Sequence, residues 1–257
     1  MGGRPTIEAA AQRRRQGKRT ADNAGTIAST PPSPELLQPS PSPTTPPNET
    51  PLEPEPEAPP IPSREQVLKA CTVTSLGIGA AGLGLRTAFH VAATAGLPVN
   101  DCSGLLPVAF DLQDILPTVA IIGGVSAVRW LLLATWKEFR ESSEASNRQL
   151  LTSLELPDVF LLGLLPGLSE ELLFRGFLVP AVSPDWKGAV VAGAVFGVLH
   201  ISGGRNVAFG AWASAVGVVY GLGALSTQNL AVPVVAHILN NIVAGIAWKL
   251  RHARPSP

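Results

Sequence analysis

Beyond residue 64 the chain is written in long blocks of Leu, Val, Ala, Gly and Ile, whereas no comparable apolar run occurs between Thr20 and Ser63. A helix that crosses a bilayer core needs about 20 mostly apolar residues, and the blocks at 67–97, 113–135, 157–181, 187–204, 206–225 and 229–248 have or approach that length. The pattern predicts an all-α fold, a polytopic transmembrane helix bundle of about six spans. The first block is long enough for one tilted helix or for a span followed by an interfacial helix. In the later blocks small residues recur, as in GAVVAGAVFG (188–197) and GAWASAVGVVYGLGA (210–224), which lets helices approach closely in lipid. These glycines fall inside helices and not in a loop between a strand and a helix, the wrong context for a nucleotide site. There is no internal repeat.

The region before the spans has a different chemistry. Residues 31–62 hold fourteen prolines and five glutamates without a Lys or Arg, so they bury too little apolar surface to offset chain entropy and read as a disordered, partly polyproline-II tail. The first nineteen residues carry Arg4, Arg13, Arg14, Arg15, Lys18 and Arg19 against Glu8 alone, the basic, acid-poor start of a transit peptide or of a solvated arm. MGGRPT also fits a loose myristoylation pattern, and Asn48-Glu49-Thr50 is a formal glycosylation acceptor. The resulting organisation is a tail over 1–63, leading transmembrane helices and a connecting loop over 64–150, a helix core over 151–249 and a basic C-terminal tail over 250–257.

Charge placement orients the bundle. With six spans, the tail, the 136–156 loop, the 204–206 loop and the C-terminus share one side. That side holds Arg64, Lys69, Lys137, Arg140, Arg148, Arg205, Lys249, Arg251 and Arg254, and the other holds only Lys187, nine against one. The positive-inside rule then places both termini in the cytoplasm, or in the stroma if the membrane is plastidial. A plastid membrane is the first expectation for location and the endoplasmic reticulum the alternative. Cys71 and Cys102 lack any metal-ribbon spacing and form no disulfide framework.

Against this apolar background a few ionisable groups stand out. An ion at the bilayer centre costs about 2.5–3.5 kcal/mol on insertion scales, so such groups face the bundle interior and pair. The third block contains GLSEELLFRGFL (167–178), with Glu170, Glu171 and Arg175; the fourth ends near His200; the sixth contains His237, Asn240 and Asn241. Glu171 and Arg175 are spaced i,i+4 and can form an ion pair, while Glu170 points about 100° away. His237 and Asn241 share a face, and Phe196 lies one turn below His200. Pro166 and Gly167 suggest a helix break, with Ser169 capping a new helix whose dipole favours the two carboxylates. As an alternative to function, the glutamates are first-turn acids near an interface with Arg175 as partner. Arg86 and Arg129 read as residues near span ends that snorkel. Tyr220 and the tryptophans read as packing groups or interfacial anchors.

Glu170-Glu171-x-x-x-Arg175, then Phe196-x-x-x-His200, then His237-x-x-x-Asn241, in this order and each in an apolar segment, resembles the CAAX protease and bacteriocin-processing (abortive infection) family of intramembrane proteases, related to the Ras-converting CAAX endopeptidases. The resemblance covers roughly 156–248. It implies a hydrolase, an endopeptidase in which Glu170 with His200 activates a water, His237 and Asn241 stabilise the oxyanion, and Glu171 and Arg175 orient the first glutamate. It further implies the lipid bilayer and a protein or peptide substrate, prenylated CAAX-type chains among the options, as partners, and no nucleic acid.

The residue chemistry is compatible with those roles. A carboxylate beside an imidazole can take a proton from water, and imidazole and carboxamide N–H groups suit an oxyanion, each such donor contributing about 10²–10³ in rate. Ser169 lacks a His-Asp arrangement, which disfavours a serine mechanism. Glu170, His200 and His237 could alternatively hold zinc with an open position for water, although no HExxH signature is present; catalysis without a cofactor is preferred. The competing reading of the whole chain is a non-catalytic membrane scaffold or immunity-type protein that keeps the polar cluster for assembly.

Overall fold

The structure, a computed structural model, describes residues 60–103 and 109–253. The tail read over 1–63, with its transit-peptide, myristoylation and glycosylation signals, lies outside the described residues up to residue 59, as does the C-terminal tail beyond residue 253. The described residues form α1 (Arg64–Thr94), α2 (Leu112–Thr135), α3 (Lys137–Leu151), α4 (Leu156–Leu173), a π-helical segment Phe174–Leu178, α5 (Val179–Val182), α6 (Trp186–Leu199), α7 (Val207–Thr227) and α8 (Ala231–His252). No strand occurs among them.

Helices α1, α2, α7 and α8 are each long and apolar enough to cross a membrane, and the helical path Leu156–Val182 adds a fifth if it is counted with α3, from which it is bent by 111°. The expectation of about six spans changes at 187–204. There α6 stops at Leu199 after 14 residues, about 21 Å at 1.5 Å per residue against a hydrocarbon core of about 30 Å. Gly203 and Gly204, at φ of 59° and 85°, turn the chain in a left-handed conformation that favours glycine. The first block resolves as one helix of 31 residues, started by a capping box in which Ser63 Oγ accepts from Gln66 N and Gln66 reaches back to Ser63 N.

The connecting loop expected over 136–156 is instead mostly α3, a polar helix whose buried face is Phe139, Ser142, Ser143, Ser146 and Leu151. A search for apolar runs passes over it, because its stripe is narrow and half serine. Phe139 stacks near Phe209 and Trp212 of α7. Trp248 Nε1 of α8 donates to Glu144, and Asn206 N donates to Ser142 Oγ. At the same end Arg64 of α1 makes a two-pronged bond to Asp158 at the start of α4, both contacts at 2.7 Å, and Lys249 donates to Leu154 O. The basic segments expected to share one side therefore do share one end of the bundle, with α3 lying across it.

Small residues set the interhelix distances. A Cβ on Gly217 of α7 would lie 2.8 Å from Gly193 Cα of α6, and one on Gly82 of α1 would lie 2.8 Å from Leu173 N of α4. Backbones this close admit no side chain between them, which explains the Gly/Ala punctuation in lipid-spanning text. Arg86 does not snorkel: its Nη1 donates to Gly176 O at 2.9 Å and its Nη2 to Ser103 O, holding α1 against the π-helical segment and the loop beyond α1.

Candidate functional site

Helix α4 carries the two glutamates about 22 Å along its axis from its start. It runs through Pro166 without the break expected there. Ser169 Oγ donates to Pro166 O at 3.4 Å within the helix and caps no new one. The irregularity lies after the glutamates, in the π-helical segment Phe174–Leu178. Such one-turn widening re-aims side chains, and Arg175 is one of those it carries.

Glu171 and Arg175 are both completely buried and meet at 2.7 Å. Arg175 Nη2 also donates to Gly217 O at 2.8 Å. The guanidinium lies within 6 Å of three aromatic rings, Phe174, Phe196 and Tyr220, so a cation in an apolar bundle is surrounded by a carboxylate, a carbonyl and π faces.

Glu171 Oε1 has a second partner, His237 Nδ1 of α8 at 2.8 Å. Across elements and 66 residues apart, this bond was not readable from spacing. It fixes the ring: with Nδ1–H donating to a carboxylate already held by Arg175, the nitrogen presented outward is Nε2. That nitrogen stands 3.8 Å from Glu170 Oε2, longer than a hydrogen bond. Glu170 is thus separated from the buried pair; its side chain retains 16% exposure where that of Glu171 has none.

His200 caps α6, its Nδ1 within 2.7 Å of Phe196 O and its ring 4.2 Å from the Phe196 ring. It lies close enough to Glu170 and His237 to interact electrostatically with both. Asn241 is half-buried one turn beyond His237. Its neighbour Asn240 has a different task, accepting from Ser126 Oγ of α2 and donating to the Tyr220 hydroxyl, both at 2.9 Å. Tyr220, read from sequence as packing, is buried with its ring 5.2 Å from His237. The structure thus links Arg175, Glu171, His237 and Glu170 in a series of contacts under 4 Å, with His200 beside them against Phe196, whose ring lies 6.1 Å from that of His237.

Among the described residues no group of three His, Cys, Asp or Glu side chains is placed to hold a metal ion. The trio Glu170, His200 and His237 considered for zinc does not converge as a three-ligand site in this arrangement.

Residues 152–243, about a third of the chain, match the family described as type II CAAX prenyl endopeptidase Rce1-like. The matched segment contains Glu170, Glu171, Arg175, His200, His237 and Asn241, and in that segment the chain is similar to the family. No curated protein and no solved structure matches the chain.

Proposed function

We propose that this multi-pass membrane protein is an endopeptidase that hydrolyses a peptide bond near the C-terminus of a membrane-associated substrate, prenylated CAAX-type chains included, with Glu170 activating the water. The observation that carries this reading is the unequal use of two adjacent carboxylates. Glu171 is fully buried and its Oε1 is shared by Arg175 and His237, with Oε2 buried and unpartnered, whereas Glu170 has its nearest basic group at 3.8 Å and remains partly accessible.

In the proposed reaction Glu170, with His200 beside it, takes a proton from water as the oxygen attacks the scissile carbonyl. The same proton then passes to the departing amine, so the carboxylate is regenerated. Asn241, and His237 as an imidazolium that keeps Nδ1–H on Glu171 and turns Nε2–H outward, donate to the developing oxyanion, and Glu171 with Arg175 fixes the orientation of His237.

The test is the appearance of new termini among membrane proteins of cells carrying the wild-type chain or Glu170→Gln. The substitution should slow product formation by about 10²–10⁴-fold, the usual contribution of a general base, while the protein elutes as a folded species in detergent. Wild-type rates in Glu170→Gln would sink the reading and leave the cluster as an assembly device. The reaction is assigned to side chains alone, so a chelator should leave the rate unchanged; loss of cleavage with chelator, restored by zinc, would replace this assignment. A plastid membrane is the proposed location, from the basic, acid-poor start of the chain, and a fluorescent C-terminal fusion checks it.

A further inference from the structure

Arg205 is a cation near the site that the reaction above does not use. It lies in the turn between α6 and α7, brought back toward the bundle by the left-handed Gly203 and Gly204 and by a bond from its own N to Ser202 O. Its Nε donates to Ser146 Oγ of α3 at 2.9 Å, and its guanidinium lies 4.8 Å over the Phe209 ring. Phe209 packs on the cluster containing Phe174 and Phe196, and Phe196 is the residue against which His200 rests. One aromatic layer therefore separates the guanidinium from the proposed catalytic groups.

The guanidinium is clamped on one edge and one face. Among the described residues neither Nη nitrogen has a hydrogen-bond or ion-pair partner, yet the residue is half-buried. It interacts electrostatically with Glu170 without reaching it for a salt bridge. An arginine held this way offers a fork of N–H donors in fixed orientation, the geometry that binds a carboxylate through two parallel hydrogen bonds. A lysine on a flexible stem would not give it. The other nearby anion, Glu170, is the group whose charge the chemistry needs free.

A substrate cut near its C-terminus carries a free α-carboxylate a few residues beyond the scissile bond, at about 3.3–3.6 Å of reach per extended residue. We propose that Arg205 binds this terminal carboxylate at the mouth between α3 and the 200–206 turn, so that the chain end is held while the scissile carbonyl meets Glu170 and His200. This specificity role rests on the endopeptidase reading and adds to it a requirement for a free chain end. It also gives α3 a task, since Ser146 orients the fork.

The experiment uses the full chain in detergent with a lipidated peptide ending in a free acid and the same peptide ending in an amide. The wild-type protein should favour the acid by about 10–100-fold in kcat/KM, the effect of a hydrogen bond between charged groups, with most of the difference in KM. Arg205→Gln should bring the ratio to within about 2-fold of unity, and Arg205→Lys should keep part of it. Ser146→Ala, which frees the fork without removing it, should lower the ratio several-fold and stands in if Arg205→Gln does not fold. An unchanged ratio in Arg205→Gln, or equal slowing of acid and amide, overturns the proposal. Cleavage of both peptides alike by the wild-type protein leaves the endopeptidase reading standing and removes the carboxylate site. If neither peptide is cut, binding of N-methylated, uncleavable versions decides: Arg205-dependent preference for the acid keeps the carboxylate site and discards the protease, and no preference discards both.

Discussion

Helices α1 and α2 and helices α7 and α8 are alike as text and opposite in circumstance. All four are apolar enough to span a membrane, but half of the most apolar window of α7 and of α8 is buried inside the protein, against 17% in α1 and 11% in α2. Lipid tails are as apolar as leucine, so hydropathy separates membrane from water and does not separate a lipid-facing helix from an interior one. What separates them is where their small and polar residues pack, since α1 is itself rich in Gly and Ala. The interior pair brings Gly193 against Gly217 and buries His237, Asn240 and Tyr220, while α2 presents Leu116, Trp130 and Leu131 outward.

The sharpest way to break the interior is to leave one buried charge alone. Glu171→Ala or Arg175→Ala should each lower stability by about 3–5 kcal/mol, the effect of an orphaned partner of a buried pair, read as the thermal midpoint in detergent micelles. Either should also abolish cleavage, because Glu171 anchors His237 and Arg175 holds Glu171 in place. Next in size, Gly217→Val must separate α6 from α7 and displace the carbonyl that receives Arg175; overpacking of this kind costs about 1–3 kcal/mol. Asn240→Ala, which removes the links to Ser126 and Tyr220, should cost about 1 kcal/mol at membrane hydrogen-bond strengths near 0.6 kcal/mol per bond, with cleavage still measurable. By contrast Leu116→Ala or Leu131→Ala on the lipid face of α2 should stay within about 0.5 kcal/mol of the parent. An α2 change as costly as the Gly217 change would erase the distinction between the two regions.

The smallest effect belongs to the exposed ends. Asp185 caps α6 by accepting from Lys187 N at 2.7 Å, and that backbone hydrogen bond holds its carboxyl below the usual aspartate value. A depressed carboxyl contributes its stability above the unfolded value near 3.9 and loses it as pH falls through the folded one. Melting curves of wild type and Asp185→Asn should therefore converge only below about pH 4.

The site was legible where its logic is local. Glu171 and Arg175 pair because an α-helix brings i and i+4 together, and the sequence alone carries that relation. The positions of the long helices follow similarly from apolar runs, and the sharing of one end by the basic segments follows from their alternation. Where the determinant is a neighbour distant in sequence, the text is silent. That Glu171 also holds His237, that Asn240 turns to α2 and α7 while Asn241 does not, and that Arg86 braces the π-helical segment all depend on which helix packs on which face. The polar helix α3 was missed because its burial depends on Phe139 meeting α7, and the short α6 was overestimated because the 187–204 block took in the turn residues His200 to Gly204. Hydropathy and helical period are properties of a segment, so the amino-acid sequence determined a bundle of membrane helices with two adjacent carboxylates at depth. The division of labour between Glu170 and Glu171 is a property of packing, decided when α8 brings His237 within 2.8 Å of one of them and leaves it 3.8 Å from the other.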